Sequence, residues 1–184
     1  MTLKSSIHAF SLAVGIATLA LLIPSDVIYS QQATKAANWD AWQFLVGEWV
    51  GDGSGSPGQG EGGFTFSLDL QNRVLMRHNY AVYPATKDRP AFRHDDLMIV
   101  YQEPGKPTQA NYFDNEGHVI QYSVEFSKDS NSVVFVSAPT ISEPRYRLTN
   151  TKVGKDSITI TFEIAPPGKP DAFSEYIKAA AHKK

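Results

Sequence analysis

From position 64 onward, apolar side chains recur at every second residue. Phe64, Phe66, Leu68 and Leu70 alternate with Thr65, Ser67 and Asp69, the pattern of a strand with one dry face. Gln71-Asn72 reads as a tight turn into a second strand, where Val74, Met76, His78, Tyr80 and Val82 share a face. Leu97, Ile99 and Tyr101 precede a Pro-Gly-Lys-Pro turn, and a short strand over 110–113 runs into the turn Asp114-Asn115-Glu116-Gly117. His118, Ile120, Tyr122, Val124 and Phe126 then lie on one face. Segments 133–137, 145–149 and 157–164 continue the pattern, the last with Ile158, Ile160, Phe162 and Ile164 in alternation.

Both ends of this region change period. Asn38 is placed to cap a short helix on which Trp39, Trp42 and Val46 form one face, and Gly47 is placed to stop it. Beyond Pro166-Pro167-Gly168, Asp171 is placed to cap a terminal helix with Phe173 and Ile177 on one side. Strands this closely spaced, with no helical pattern between them, indicate an all-β fold. Connections of hairpin length give an up-and-down order, and closing the sheet turns every apolar face inward while removing open edges. The expectation is a closed up-and-down antiparallel β-barrel of about nine or ten strands over residues 38–184, with a short N-terminal helix and a C-terminal helix.

The first thirty residues read differently. Lys4 precedes a mainly apolar run over 9–23 (AFSLAVGIATLALLI), broken by Pro24, with Ser30 before Gln31. That run has the length of a signal peptide's apolar core and falls short of the ~20 residues that cross a bilayer comfortably. Residues 1–30 are therefore expected to be a signal peptide and 31–37 a polar tether, with a retained N-terminal anchor as the rival. Either way the barrel lies outside the cytoplasm, periplasmic or secreted, and signal removal leaves no stable membrane span.

Composition narrows the function classes. The 184 residues carry a formal net charge of -2 with the two signs interspersed, so there is no basic stripe for nucleic acid. There is no cysteine, hence no disulfide framework or thiol nucleophile. No serine sits in a G-x-S-x-G elbow. Aromatic residues make up 11%, which suits a protein that fills or lines a cavity with rings.

If the apolar faces point inward, Met76, His78, Tyr80, Tyr101, His118, Tyr122 and Tyr146 line an interior that is mainly apolar with a few polar groups, as small-molecule sites are. Trp49 stands at one barrel end. These eight residues are the candidate ligand-binding set. Glu125, Glu163 and Asp69 fall on the opposite faces, so no interior acid orients His78 or His118, and no catalytic or metal-ligating set is assigned. Arg93-His94-Asp95-Asp96 reads as a solvated rim with an Arg–Asp pair, because neighbours on a strand point to opposite faces. Residues 83–92 form a candidate flap over the opening.

The most distinctive motif is Gly47-Glu48-Trp49-Val50-Gly51-Asp52-Gly53-Ser54-Gly55; eight of the thirteen glycines lie between 47 and 63. No Gly-Lys-Ser/Thr follows, which excludes a phosphate loop. Glycines at alternate positions instead allow sharp bending or close approach by a ring. A short helix ending in Leu-Val-Gly-Glu-Trp, followed by about ten strands, resembles the calycin superfamily of lipocalins, fatty-acid-binding proteins and bacterial relatives. The glycine spacing is similar to that of nitrobindin-type barrels. That resemblance implies a haem held by a histidine near the C-terminus, with peroxynitrite isomerisation. Here the corresponding positions resemble Tyr176 or Lys178, with His182 later, so the fold is carried over and the iron ligand is not.

The leading expectation is a binding module without enzymatic activity and without a resident cofactor, holding an apolar or amphipathic small molecule. A haem protein with reactive-nitrogen chemistry, and a solidly packed barrel serving as an envelope interaction protein, are the alternatives.

Overall fold

The computed structural model describes residues 37–56 and 60–184; the expected signal peptide and all but the last residue of the expected tether lie outside them. Ten strands make up the fold: β1 (Gly47–Ser56), β2 (Glu61–Asp69), β3 (Val74–Tyr83), β4 (Phe92–Tyr101), β5 (Gln109–Asp114), β6 (Val119–Phe126), β7 (Ser132–Ser137), β8 (Arg145–Lys152), β9 (Ser157–Ala165) and β10 (Ser174–Lys183). Each pairs antiparallel with the next in sequence, and β10 pairs with β1 to close the barrel. Closure gives every strand two partners, which leaves no edge free to recruit another chain. Among the described residues, no helix is long and apolar enough to cross a membrane.

The short N-terminal helix is a single 3-10 turn, Asp40–Trp42. The N-cap is Trp39, with no side-chain cap, and not Asn38 as expected; Asn38 Oδ1 accepts the Asp40 N–H at 2.9 Å one residue further back, as in an Asx turn. This turn plugs one end of the barrel. Trp39, Trp42 and Leu45 are buried there, Trp42 meeting Phe126 edge-on at 5.0 Å. The indole N–H groups are matched to carbonyls, Trp39 to Asn72 at 2.8 Å and Trp49 to Leu45 at 2.7 Å, so the rings are buried without stranding a donor.

The expected C-terminal helix is not formed; residues 174–183 are β10. Intrinsic propensity in Lys-Ala-Ala-Ala favours a helix, but an unclosed sheet would leave the backbone groups of β1 and β9 unpaired. Ten residues in strand form satisfy both neighbours at once. Ile177, Ala179 and Ala181 then alternate into the interior, opposite Phe162, Ile160 and Ile158 of β9.

Register corrects a second expectation. Leu68 pairs with Leu75, Phe66 with Arg77 and Phe64 with Asn79. Since Phe64 and Phe66 are buried, the inward face of β3 is Leu75, Arg77, Asn79, Ala81 and Tyr83. Met76, His78 and Tyr80 point outward. The same pairing carried to β4 turns His94, Asp96, Met98 and Val100 inward and Leu97, Ile99 and Tyr101 outward. The outward-facing residues of both strands are the more hydrophobic to read, because the inward face lines a partly polar cavity.

Candidate functional site

Above the tryptophan plug the barrel encloses a cavity of about 720 Å³, within the range of small-molecule sites. It is lined by Phe64, Leu148, Ile160 and Phe162 among apolar residues, and opens among the loops at the far end, where Phe92, His118 and Tyr176 both line it and reach solvent. A solidly packed interior is therefore not what this chain forms.

One side of the cavity carries a continuous polar network built from β3, β4 and β5. Arg77 donates from Nη1 to Asp96 at 2.9 Å, and Asn79 donates from Nδ2 to the other carboxylate oxygen at 2.7 Å. His94 Nε2 lies 3.3 Å from Asp96 and 3.1 Å from the Tyr112 hydroxyl, while Nδ1 lies 2.7 Å from Glu116. Tyr112 donates to Asp114 at 3.3 Å, and Asp114 receives His118 Nδ1 at 2.8 Å. The alternation of a strand makes this possible: Arg77 and Asn79, His94 and Asp96, and Tyr112 and Asp114 are each two apart, on one face.

The charges follow from these contacts. The hydrogen bond to Asp96, aided by Glu116, outweighs the partial burial of His94 and raises its pKa to about 9, so the ring is an imidazolium at neutral pH. Burial on its own would raise Asp96, but attraction to Arg77 and the bonds from His94 and Asn79 hold it below the usual carboxylate range. For Asp114 burial likewise works upward and is overcome by the backbone and side-chain donors of His118. Burial, together with nearby carboxylates, pushes the hydroxyls of Tyr112 and Tyr122 well up, and both phenols stay neutral. At His118 a carboxylate can only accept, so Nδ1 carries a proton toward Asp114.

The eight residues expected to bind ligand are divided by the barrel wall. Tyr122 and Tyr146 are inside and line the cavity. Trp49 is inward and buried, stacked against Phe64 at 5.8 Å, at the junction with the plug. His118 is at the mouth with its side chain 55% exposed, held by Asp114; an acid does orient it, contrary to expectation. Met76, His78, Tyr80 and Tyr101 lie on the outer face, where Tyr80 is exposed with Arg93 over its ring at 5.0 Å. Arg93 and Asp95 form the expected exposed pair at 2.7 Å, whereas His94 and Asp96 turn inward from the same run. The 83–92 segment is strand at both ends, with Tyr83 and Phe92 stacked at 6.3 Å and Arg89 over Tyr83 at 5.5 Å.

Sequence reasoning missed Arg77, Asn79, His94, Asp96, Tyr112 and Asp114 as interior groups. The signal was present in the turn at Gln71-Asn72: centring a hairpin there sets Leu68 opposite Leu75, and from that pairing Arg77 and Asn79 follow Phe66 and Phe64 into the barrel.

The glycine run has a steric purpose that the structure makes explicit. A Cβ on Gly62 would stand 2.8 Å from the Tyr80 carbonyl oxygen, and one on Gly63 would stand 2.6 Å from that of Trp49. Backbone occupies the space a side chain would need.

The fold and cavity define this chain as a closed ten-strand antiparallel barrel with an interior chamber. No family model matches the sequence, and no curated protein does. Among solved structures, it is similar to the crystal structure of Rv2717c from M. tuberculosis, with a TM-score of 0.54 and 14% identity over 81% of this chain and 99% of that one. At that identity the likeness is one of fold.

No histidine of the C-terminal segment reaches the cavity. β10 turns Ile177, Ala179 and Ala181 inward and brings Tyr176 to the mouth, and its one imidazole, His182, pairs with Asp52 at 2.6 Å with its side chain 55% exposed. Within the cavity, both ring nitrogens of His94 are already bound by hydrogen-bond partners.

Proposed function

We propose that this protein is an exported carrier that holds one apolar or amphipathic small molecule inside its barrel. The observation that carries this reading is the open-mouthed cavity of about 720 Å³, apolar around most of its wall and polar along β3 to β5. A ligand with an apolar body against Leu148, Ile160 and Phe162 would direct its polar end toward Arg77, Tyr112 and Tyr122. The charged groups of the network largely neutralise one another, which suits recognition by hydrogen bonds more than by net charge. Export is supported by the apolar run over 9–23 and the absence of cysteine-dependent chemistry is neutral to it.

The test is native mass spectrometry on full-length chain expressed with its N-terminal segment and recovered from the exported fraction. It is joined to a titration with 8-anilinonaphthalene-1-sulfonate. A co-purifying small mass or a saturable single-site titration is expected. Protein recovered without added mass, showing no saturable titration, would overturn the carrier reading.

A further inference from the structure

The cavity has two unlike walls. Going round the barrel, β10, β1, β2 and β3 are consecutive, and their register sets Ala181, Gly51, Gly62 and Ala81 side by side in one band of the cavity wall, with Ala179 beside it on β10. This band carries nothing larger than a methyl group, and the carbonyl behind Gly62 forbids more there; the same strands turn Phe64, Asn79, Tyr83 and Ile177 into the cavity on either side of it. Half a turn round the ring of ten strands stand β5, β6 and β8, which contribute Tyr112, Tyr122 and Tyr146. Across the chamber from the band of backbone and methyl groups stand these phenol rings.

A second, independent observation concerns hydrogen bonding. Tyr122 is only 3% exposed and lines the cavity, yet among the described residues no hydrogen bond reaches its hydroxyl. Hydroxyls of largely buried side chains are normally bonded, so this one is open to an acceptor inside the chamber. Arg77, 8% exposed, lines the same cavity, spends Nη1 on Asp96, and has further N–H donors available. Two buried donors therefore aim into the chamber with capacity unused.

We propose that the chamber is shaped for a flat, fused-ring molecule bearing a carbonyl or carboxylate, its face lying on the Gly/Ala wall and its acceptor oxygen on Tyr122 and Arg77. This rests on the carrier reading and narrows it to a ligand class. A flexible chain gains little from a smooth wall, because it loses rotational freedom wherever it is laid down. A rigid ring system has none to lose and buries a whole face against it. Stacking on the tyrosine side adds the geometry that aromatic pairs favour.

The experiment compares two probes on the full chain, anthracene-2-carboxylate followed by its fluorescence and dodecanoate followed by calorimetry. The wild type is tested beside Ala81→Leu, Ala179→Leu and Tyr122→Phe. The anthracene probe is expected to bind at least tenfold more tightly than dodecanoate. Each leucine, which thickens the smooth wall without touching the glycines, is expected to weaken anthracene binding at least tenfold while dodecanoate binding changes less than threefold. Tyr122→Phe keeps the ring and removes the hydroxyl, and is expected to weaken the anthracene probe about five- to tenfold. Thermal melting of each variant establishes that it is folded; should a leucine variant not fold, Ala81→Val and Ala179→Val replace it. Equal binding of both probes, or leucines that weaken both alike, overturns the flat-ligand inference and leaves the carrier reading standing. Binding of neither probe, with no mass co-purifying, removes both.

Discussion

Gln71 shows how much one residue's backbone can cost. The β2–β3 turn places Leu70, Gln71 and Asn72 in succession at positive φ, 48°, 56° and 63°. Left-handed backbone costs an L-residue roughly 1–2 kcal/mol, and only Gly, Asn and Asp adopt it readily. Asn72 suits its place, and its carbonyl also receives the Trp39 indole. Gln71 is exposed and has neither excuse. Gln71→Gly is expected to raise stability by about 0.5–1 kcal/mol, after the added entropy of glycine in the unfolded chain is set against the relief. Equilibrium denaturation in urea checks the value, and an unchanged or lowered midpoint would contradict the strain argument. At this scale the sequence spoke clearly about where the chain turns. It did not announce that three residues in a row would be left-handed, because two of them have no preference for that conformation.

Among the elements, β10 is where local and global preferences part. Read alone, Ser174 to Lys183 contains an alanine run that favours a helix, and the four-residue spacing of Phe173 and Ile177 agrees with one. Read against its neighbours, it is the piece that completes the ladders of β1 and β9. Lys178 sits on its outer face opposite Thr161, well exposed, and a substitution there separates the two readings. Lys178→Thr trades a helix former for a β-branched residue. It should stabilise the domain by several tenths of a kcal/mol, within the ~1 kcal/mol span of strand preferences. A helix at this position would lose a similar amount. Melting temperature decides the direction. The same tension explains β3 and β4: Val74, Met76 and Ile99 advertise an apolar face, yet Phe64 and Phe66 across the sheet commit the other face to the interior. Single-strand patterns carry period well and orientation poorly when the barrel's inside is partly polar. The strands with unmixed cavity faces, β2, β6 and β9, were oriented from sequence without difficulty.

For the molecule as a whole, the interior network predicts how stability depends on pH. His94 keeps its proton up to about 9 when folded, against 6.5 for a free imidazole. A proton held more tightly in the folded state favours folding fully below about 6.5, and that advantage disappears as pH rises through 9. Asp96 and Asp114 act in the opposite direction. Their pKa values are depressed by folding, so their contribution is present above the ordinary carboxylate range and is lost as acid protonates them. The melting temperature should therefore be highest between about pH 5 and 7, decline toward pH 10, and fall steeply below pH 4. His94→Gln retains hydrogen-bonding capacity without titrating and should flatten the alkaline decline while leaving the acid limb in place. A variant that declined as steeply as the wild type would assign the alkaline loss to another group. What the sequence could not disclose was this network itself, since its members come from three strands and meet only once their register is fixed.

The seam between the first and last strands has a kinetic consequence. Residues more than a hundred positions apart, such as Trp49 and Lys183, must find each other before the ring exists, and contacts so distant in sequence slow folding. Until β10 arrives, the growing chain is an open ribbon with two bare margins. A chain that locks late keeps both margins open to stray pairing until its last strand docks.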